Sequence, residues 1–293
     1  MIQLIEVKEV SNSEKPTPDE IHNCSLLETG HLLLFSQNMP TFQENEIKIL
    51  ETITTPVSYQ ISSGSIAIQK KNSQEQNALR AIMLKYLNYA KLMLGQTMPH
   101  YLSRAHLDKI ILTPTSQNSL PPSFSFTPCL DGNRILTFFT NISTKPLLWS
   151  TSSENFSSFV KKFMEKHQNA IPAKQGGEVL KEKIARKMKV KIREYGGSRF
   201  KSPYDCFMSK MIKELNSSSK IESSMLNWQI LPSQSCLFFS DAILHAPLEN
   251  QITLSLTLEL PRYRQLNPET SCMSILERLT EEVMMAPFSK KLS

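Results

Sequence analysis

Cysteine is sparse in this chain, and its spacing excludes two kinds of site. The five cysteines are far apart and odd in number: Cys24, Cys129, Cys206, Cys236 and Cys272. Without a Cys-x-x-Cys pair or a Cys/His cluster, the pattern argues against a zinc finger. It also argues against a disulfide framework, and it is typical of a protein kept in a reducing cytoplasm.

Long apolar runs and common catalytic motifs are missing as well. No stretch approaches the roughly eighteen apolar residues of a membrane span, so we expect no transmembrane helix. The N-terminal residues MIQLIEVKEVSNSEK lack the apolar core of a signal peptide. The chain contains no GxSxG, GxGxxG, P-loop or HExxH motif. Serine-hydrolase, dinucleotide-binding, NTPase and zincin functions therefore have no support.

Glycine is scarce and basic residues are concentrated in one segment. With 8 glycines and 17 prolines among 293 residues, we expect stiff irregular connections rather than flexible linkers. The net charge is +6, and residues 174–201 carry ten Lys or Arg against three Glu. Such a block either faces an anionic partner, such as phosphate, nucleic acid or a charged lipid surface, or forms a solvated helix face.

The pattern of apolar residues predicts strands in the centre and C-terminal half, with helices around them. Residues 74–94 carry apolar side chains at helical spacing, and residues 251–261 alternate as in a sheet with one face in water. The predicted fold is mainly β with flanking helices (α+β), a double-stranded β-helix or jelly roll. We predict one domain, 1–293, with helical segments 74–94 and 154–215 packed around it. Further strands are predicted at 26–36, 56–70, 109–116, 134–142, 146–150, 224–232 and 235–241, and further helices at 179–195, 205–215 and 272–285.

One short motif has the form of an iron site. His106 and Asp108 make an H-x-D triplet, and residues i and i+2 of a strand lie on one face. With a distant histidine, His245, they would form a 2-His-1-carboxylate site that leaves one side of the metal open. The alternative interpretation is a surface pair, because a motif this short also arises by chance.

Several separate blocks resemble one known family. MPHYLSR after the predicted helix, together with LLETGHLLLF, extends the resemblance toward the N-terminus, over roughly residues 26–280. The main blocks are RILTFFTNI from Arg134, Leu147–Ser150 with the helix after it, SPYDCFMSKMIKEL from Ser202, FFSDAILHAPLENQ from Phe238, and SILERLT from Ser274. On these blocks the chain resembles the Kdo hydroxylases, bacterial enzymes that act on the 3-deoxy-D-manno-oct-2-ulosonic acid (Kdo) sugar of lipopolysaccharide.

The resemblance implies a jelly-roll dioxygenase that uses Fe(II) and 2-oxoglutarate. His245 matches the family's last iron-binding histidine. The place of the family's H-x-D, counted back from Arg134, falls on Pro121-Pro122-Ser123. Proline has no ligand atom, and a serine hydroxyl is a poor substitute for a carboxylate. Asp131 is a second stand-in without a histidine beside it, and His106 to Asp108 stands about fifteen residues too early in the chain. We therefore predict a degenerate iron site.

Other residues of the matching blocks are candidates for binding a substrate or cosubstrate. We include Asn141 and Arg262 among them. Arg134 is expected either to pair with a ligand carboxylate or to form an ion pair at the start of a strand. Tyr204 and Asp205 are expected either to bond a sugar or, for Asp205, to cap a helix. Asp241 is expected to organise the turn before His245.

Three functional hypotheses follow. The first is a Kdo-hydroxylase-like protein of lipopolysaccharide metabolism with a degenerate iron site and a retained sugar- or phosphate-binding cleft. The second is an active Fe(II)/2-oxoglutarate-dependent Kdo hydroxylase that uses a relocated H-x-D. The third is a non-catalytic protein-interaction module. We expect a Kdo-containing lipid or another anionic ligand as partner, no nucleic acid, and a cytoplasmic protein with peripheral contact to the inner membrane as an open alternative.

Overall fold

The fold is known from a computed structural model of the chain. It describes residues 2–5, 16–35, 42–68, 73–115, 133–166, 211, 213–214, 225–249, 251–272, 274–276 and 278–279. Eleven strands and five α-helices lie in these residues. The strands are β1 (Ile2–Ile5), β2 (Leu32–Phe35), β3 (Val57–Gln60), β4 (Ser65–Ala67), β5 (His106–Thr113), β6 (Arg134–Asn141), β7 (Leu147–Ser152), β8 (Met225–Ile230), β9 (Ser235–Phe239), β10 (His245–Pro247) and β11 (Thr253–Leu260). The helices are α1 (Pro18–Glu28), α2 (Glu44–Glu51), α3 (Ser73–Thr97), α4 (Pro99–Arg104) and α5 (Phe156–Lys166).

The described strands form two sheets. The larger sheet has eight strands in the order β1-β2-β9-β6-β11-β5-β3-β4, and the smaller has three in the order β10-β7-β8. All neighbouring pairs are antiparallel except β1 with β2. Side chains alternate across each strand, so one face of the large sheet packs on helices and the other turns toward the small sheet. The fold is a jelly roll with flanking helices, as predicted.

The helix-covered face of the large sheet forms the main core. Helix α3 lies across it and buries its apolar stripe, including Leu79 and Met83. The Tyr86 hydroxyl, fully buried, donates to the carbonyls of Phe138 and Leu254, at 3.1 and 2.9 Å. A tyrosine needs such a partner when its polar end is buried. These bonds fix α3 on the two central strands, β6 and β11.

The predicted helices and strands agree with the structure where the apolar pattern repeats over many residues, and they differ at shorter elements. The helix at 74–94 is α3, and the strand pair at 56–70 is the β3–β4 hairpin. The strand predicted at 26–36 was too long, because residues 26–28 end α1 and Gly30, at φ +86°, makes the turn into β2. Helices α1, α2 and strand β1 were not predicted; α2 is short, and its capping box at Gln43 is a weak local signal.

Parts of two other predicted helices fall in the described residues. Residues 211, 213 and 214 are helical, as are 272, 274–276 and 278–279. The basic helix predicted at 179–195 lies outside the described residues. The division into one domain over 1–293 stays a prediction. None of the described helices is long and apolar enough to cross a membrane.

Candidate functional site

His245 is the first residue of β10, at the inner surface of the small sheet. It pairs with Thr151 of β7. Two residues further along β10, Pro247 pairs with Trp149 of β7, which in turn pairs with Trp228 of β8. Residues paired in register share a face, so Trp149 and Trp228 lie on the same side of the sheet as His245. The turn before β10 is held by the Ser152 backbone N–H, which donates to the Leu244 carbonyl at 2.9 Å.

The imidazole of His245 lies between two aromatic rings. It stacks on Trp149 with ring centroids 5.7 Å apart and an interplanar angle of 1°. The Phe238 ring packs against it in a T-shaped arrangement, with ring centroids 4.9 Å apart. Its Nδ1 donates to the Ile243 carbonyl at 2.8 Å, because a carbonyl can only accept. Burial lowers the pKa of His245, so the ring is neutral and Nε2 carries the lone pair.

Aromatic and aliphatic side chains fill the space between the sheets around this histidine. Phe139 and Phe238 both pack edge-to-face with Trp149, with ring centroids 4.6 and 6.2 Å from that of Trp149. These residues belong to a second core, separate from the helix-covered one, that also contains Leu32, Leu147, Ile230, Cys236 and Ile243. Within the described residues, the neighbours of His245 are therefore apolar rings rather than further metal ligands.

His106 and Asp108 lie on β5 of the large sheet, three strands along from β9, whose Phe238 contacts His245. Both are strand residues, as the H-x-D interpretation assumed. From Phe238 beside His245, the cross-strand row runs through Thr137 and Thr257 to Lys109. Three strand spacings of about 4.8 Å make this separation ~14 Å. A metal ligated at about 2.1 Å cannot bridge it, so His106 and Asp108 are not partners of His245.

The remaining histidines do not complete an iron site within the described residues. No group of three His, Cys, Asp or Glu side chains there is arranged to hold a metal ion. The chain has six histidines. Besides His245 and His106, which begins β5, His22 is exposed on α1 and His31 follows α1. The Nδ1 atom of His100 lies 2.7 Å from the Glu20 carboxylate. His167 lies outside the described part. The family's H-x-D place, Pro121-Pro122-Ser123, and Asp131 also lie outside it.

The described residues therefore fit a single iron ligand and not the 2-His-1-carboxylate set. His245 has a suitable tautomer, since the nitrogen away from the Ile243 carbonyl is the one that carries the lone pair. One imidazole in competition with water does not retain Fe(II), because selectivity depends on the complete ligand set and its geometry.

Arg134 lies on the helix side of the large sheet, away from His245. Its Nη1 donates to the Glu28 carbonyl at 3.2 Å, and its Nε is 3.6 Å from the Asp241 carboxylate. The guanidinium also lies 3.9 Å over the Phe239 ring. The Arg134 side chain is only 1% exposed. This is the ion pair at a strand start that the sequence analysis offered as the alternative to ligand binding.

Asp241 has a different role from the turn-organising one expected for it. Its carboxylate faces Arg134, and its backbone carbonyl accepts a hydrogen bond from the Cys272 thiol at 3.3 Å. Burial raises the pKa of Asp241, and the charge of Arg134 opposes that rise. Asp241 thus ties the end of β9 to the start of β6 and to the C-terminal segment.

Asn141 and Arg262 are placed at the two ends of the large sheet. The Asn141 amide donates to the carbonyls of Lys145 and Ile230, both at 2.9 Å, and its Oδ1 accepts from Ser143. These bonds favour a structural role in the β6–β7 connection over ligand binding. Arg262 lies half-buried in a short 3-10 helix after β11. Tyr204, Asp205 and the basic block 174–201 fall outside the described residues, so their predicted roles stay predictions.

The tryptophans are the site residues that sequence reasoning missed. Trp149 belongs to a matching block and a predicted strand, and Trp228 to a predicted strand, but neither was predicted as a site residue. Both indole Nε1 atoms are buried, and neither has a hydrogen-bond partner in the part of the chain that the structure describes. A usable signal did exist, since the chain has just 2 tryptophans and both fall in predicted strands.

A separate cavity of about 310 Å³ lies on the other side of the turn that precedes β10. The end of α1, the start of α5 and Ala242 line it, together with Glu269 and Arg278. No histidine is among its lining residues. It is therefore not the place where the family's iron site would lie.

The family is shown by comparison with known sequences. Residues 10–283 match the model of the 3-deoxy-D-manno-oct-2-ulosonic acid (Kdo) hydroxylase family. The chain therefore belongs to the Kdo hydroxylase family. A search of curated proteins gives no match.

Solved structures of a Kdo hydroxylase have the same fold. The enzyme KdoO, a non-heme Fe(II) α-ketoglutarate-dependent dioxygenase, in complex with α-ketoglutarate and Fe(III), is 20% identical with a TM-score of 0.76, and the match covers 96% of each chain. Its cobalt(II) complex is 19% identical with a TM-score of 0.75, again over 96% of each chain. Its apo structure is 18% identical with a TM-score of 0.74 over the same share of both chains.

Proposed function

We propose that this chain is a Kdo-hydroxylase-like protein of lipopolysaccharide metabolism with a degenerate iron site. In this proposal it binds a sugar- or phosphate-bearing ligand, such as a Kdo-containing lipid, and does not hydroxylate it. The observation that carries the proposal is the surroundings of His245, whose ring neighbours are Trp149 and Phe238. We place the protein in the bacterial cytoplasm, with the basic block 174–201 available for an anionic membrane surface.

The loss of the iron site is supported by residue chemistry as well as by position. A 2-His-1-carboxylate centre needs a second imidazole and a carboxylate within reach of one metal. The segment 114–133 before β6, where the family carries its H-x-D, contains no histidine. His106, the candidate for a relocated motif, lies on β5, three strand spacings of about 4.8 Å from β9, the strand beside His245. An active hydroxylase using His106, Asp108 and His245 is therefore not favoured.

A protein-interaction module is the second candidate, and one observation favours it. The space beside His245 is packed with Phe139, Phe238 and Trp149, as expected for a cleft that has been filled. The unpartnered indole N–H groups of Trp149 and Trp228 weigh against a purely structural filling, because buried tryptophan N–H groups usually have a partner.

The experiment that tests the proposal is anaerobic Fe(II) binding in the presence of 2-oxoglutarate. The readout is the visible metal-to-ligand charge-transfer band, recorded for wild type and for His245→Ala. We expect no band in folded wild-type protein at micromolar iron. A band that disappears in His245→Ala would overturn the proposal and restore the hydroxylase.

A second variant tests the position at which the proposed H-x-D ligand pair was lost. The double substitution Pro121→His with Ser123→Asp rebuilds an H-x-D at the place that the family pattern indicates. We expect it to acquire the band that wild type lacks, and Pro121→Ala with Ser123→Ala is the matched control. Failure of the rebuilt variant, in a folded sample, would contradict the alignment of the family's H-x-D with these residues.

A further inference from the structure

We propose that the cavity between α1, α5 and the residues that follow β11 is a binding site for a free apolar α-amino acid, in which Glu269 binds the ammonium group and Arg278 the carboxylate. This site is separate from the space between the two sheets. The inference goes beyond the proposed function and does not depend on the state of the iron site.

The first argument is the position and size of the cavity. Its described lining includes Phe156 and Ala242 of the main core and no residue of the second core around His245. Its volume of about 310 Å³ is at the lower end of the range for small-molecule sites. A cavity of roughly 150 Å³ holds one benzene molecule, so this cavity has room for about twelve non-hydrogen atoms. That is the size of a single amino acid rather than of a nucleotide or an oligosaccharide.

The second argument is the separation of apolar and charged groups within the lining. Phe156 and Ala242 are 2% and 6% exposed, and the partly buried Ile275 packs on the same core. Glu269 and Arg278 line the cavity too, but both are exposed, so they lie on its solvent side. Small-molecule sites are mostly apolar and contain a few polar groups that orient the ligand. This lining orients a ligand with its apolar part inward and its charged groups at the mouth.

The third argument is that two opposite charges line one cavity and do not pair with each other. Among the described residues, neither Glu269 nor Arg278 takes part in an ion pair. The carboxylate of Glu28, a third charged residue of the lining, already accepts from the backbone N–H groups of Leu266 and Asn267, both at 2.8 Å. One carboxylate and one guanidinium therefore remain for a ligand.

These charges favour a zwitterion over an anion or a cation. A phosphate or a fatty acid would place a second negative charge beside Glu269, and an amine would place a second positive charge beside Arg278. The head group of an α-amino acid supplies a partner to each. The Asn155 amide N–H₂ and the Ser157 hydroxyl, both in the lining, have no partner among the described residues and can bond the same head group. Helix α5 also begins at this wall, and the positive end of its dipole favours the ligand carboxylate.

Isothermal calorimetry on the full chain with a matched set of ligands tests the ligand class. The set is L-phenylalanine, phenylpropionate, which lacks the ammonium group, phenethylamine, which lacks the carboxylate, and glycine, which lacks the apolar side chain. We expect L-phenylalanine to bind most tightly and each singly charged analogue to bind about fivefold more weakly, as for one exposed ion pair. Glycine should bind more than about tenfold more weakly, because it buries no aromatic side chain.

Two variants assign each charge of the ligand to its residue. Glu269→Gln is expected to weaken L-phenylalanine binding about fivefold and to leave phenylpropionate binding unchanged, because that analogue has no ammonium group. Arg278→Gln is expected to weaken L-phenylalanine binding to the same extent and to leave phenethylamine binding unchanged. The matched controls are Glu249→Gln and Arg80→Gln, at exposed residues outside the lining, and both should bind as wild type does. Circular dichroism establishes that each variant is folded.

Three results would overturn the inference. The first is the absence of L-phenylalanine binding to wild type. The second is binding that neither Glu269→Gln nor Arg278→Gln weakens, since the ligand would then lie elsewhere. The third is phenylpropionate or phenethylamine binding as tightly as L-phenylalanine, which would make the cavity a site for a simple anion or cation. None of these results bears on the iron experiment, which tests the surroundings of His245 and decides the proposed function separately.

Discussion

The two faces of the eight-stranded sheet are built differently. On the helix-covered face, the buried hydroxyls of Tyr86 and Tyr89 have partners in Phe138, Thr140, Leu254 and Ser235. On the face toward the small sheet, aromatic side chains surround His245. The indole N–H groups of Trp149 and Trp228 have no partner among the described residues. A buried polar group without a partner costs stability. On the helix-covered face this cost falls on the Arg134–Asp241 pair, whose Nη2 and Oδ1 atoms have no hydrogen-bond partner in the described part of the chain.

Neighbouring phenylalanines on β6 give the largest expected effect and compare the two faces directly. Phe138 points to the helix side and is 0% exposed, whereas Phe139 points to the small sheet and is 8% exposed. We expect Phe138→Ala to lower the free energy of unfolding by about 4 kcal/mol and Phe139→Ala by about 3 kcal/mol, since the cost rises with the cavity left behind. Urea denaturation measures both. A larger loss for Phe139→Ala would contradict the assignment of the main core to the helix side.

The buried ion pair of Arg134 and Asp241 places two charged groups within the otherwise apolar helix-covered face. Arg134→Met leaves Asp241 as an unpaired buried charge, and we expect a loss of about 3 kcal/mol. Replacing both residues, as Arg134→Met with Asp241→Asn, should recover most of that loss, because no uncompensated charge remains. Denaturation of the single and double variants checks this. A double variant as unstable as the Arg134 variant alone would show that packing, rather than charge, dominates.

Tyr86→Phe tests the hydrogen bonds that join α3 to the sheet. The substitution keeps the ring and leaves the carbonyls of Phe138 and Leu254 without this donor. The expected loss of unfolding free energy is about 2 kcal/mol. Tyr263→Phe, at an exposed position, is the matched control with an effect near zero. Equal stability of the two variants would mean that the buried hydroxyl contributes nothing.

The smallest expected effect concerns protonation of His245. Because burial lowers its pKa, the unfolded chain binds a proton more readily than the folded one as the pH falls below about 6.5. Stability should therefore decrease with falling pH below that value, and His245→Gln should reduce the decrease. His31, whose pKa burial also lowers, contributes in the same direction in both proteins. Unfolding measured at several pH values gives the two slopes, and identical slopes would contradict a buried, neutral His245.

Prediction from sequence succeeded where a repeating pattern covered many residues. The apolar stripe of α3 and the alternation of β11 are local properties, so their positions were predictable. For the candidate site, the turn before His245 was also predictable from its block, whereas the short strand β10 that begins at His245 was not predicted. Helix α1 was missed because its apolar pattern is weak and its main signals are Thr17 as N-cap and Pro18 at the first turn.

The sequence by itself determined the periodicity of the elements, the likeness to the family, and the absence of a histidine before β6. It did so because these properties depend on residues close together in the chain. Only the tertiary structure decided that Arg134 faces Asp241, that His106 lies in a different sheet from His245, and that Trp149 and Trp228 meet on one face. Strand order and register bring distant segments together, and they depend on the packing of the whole core.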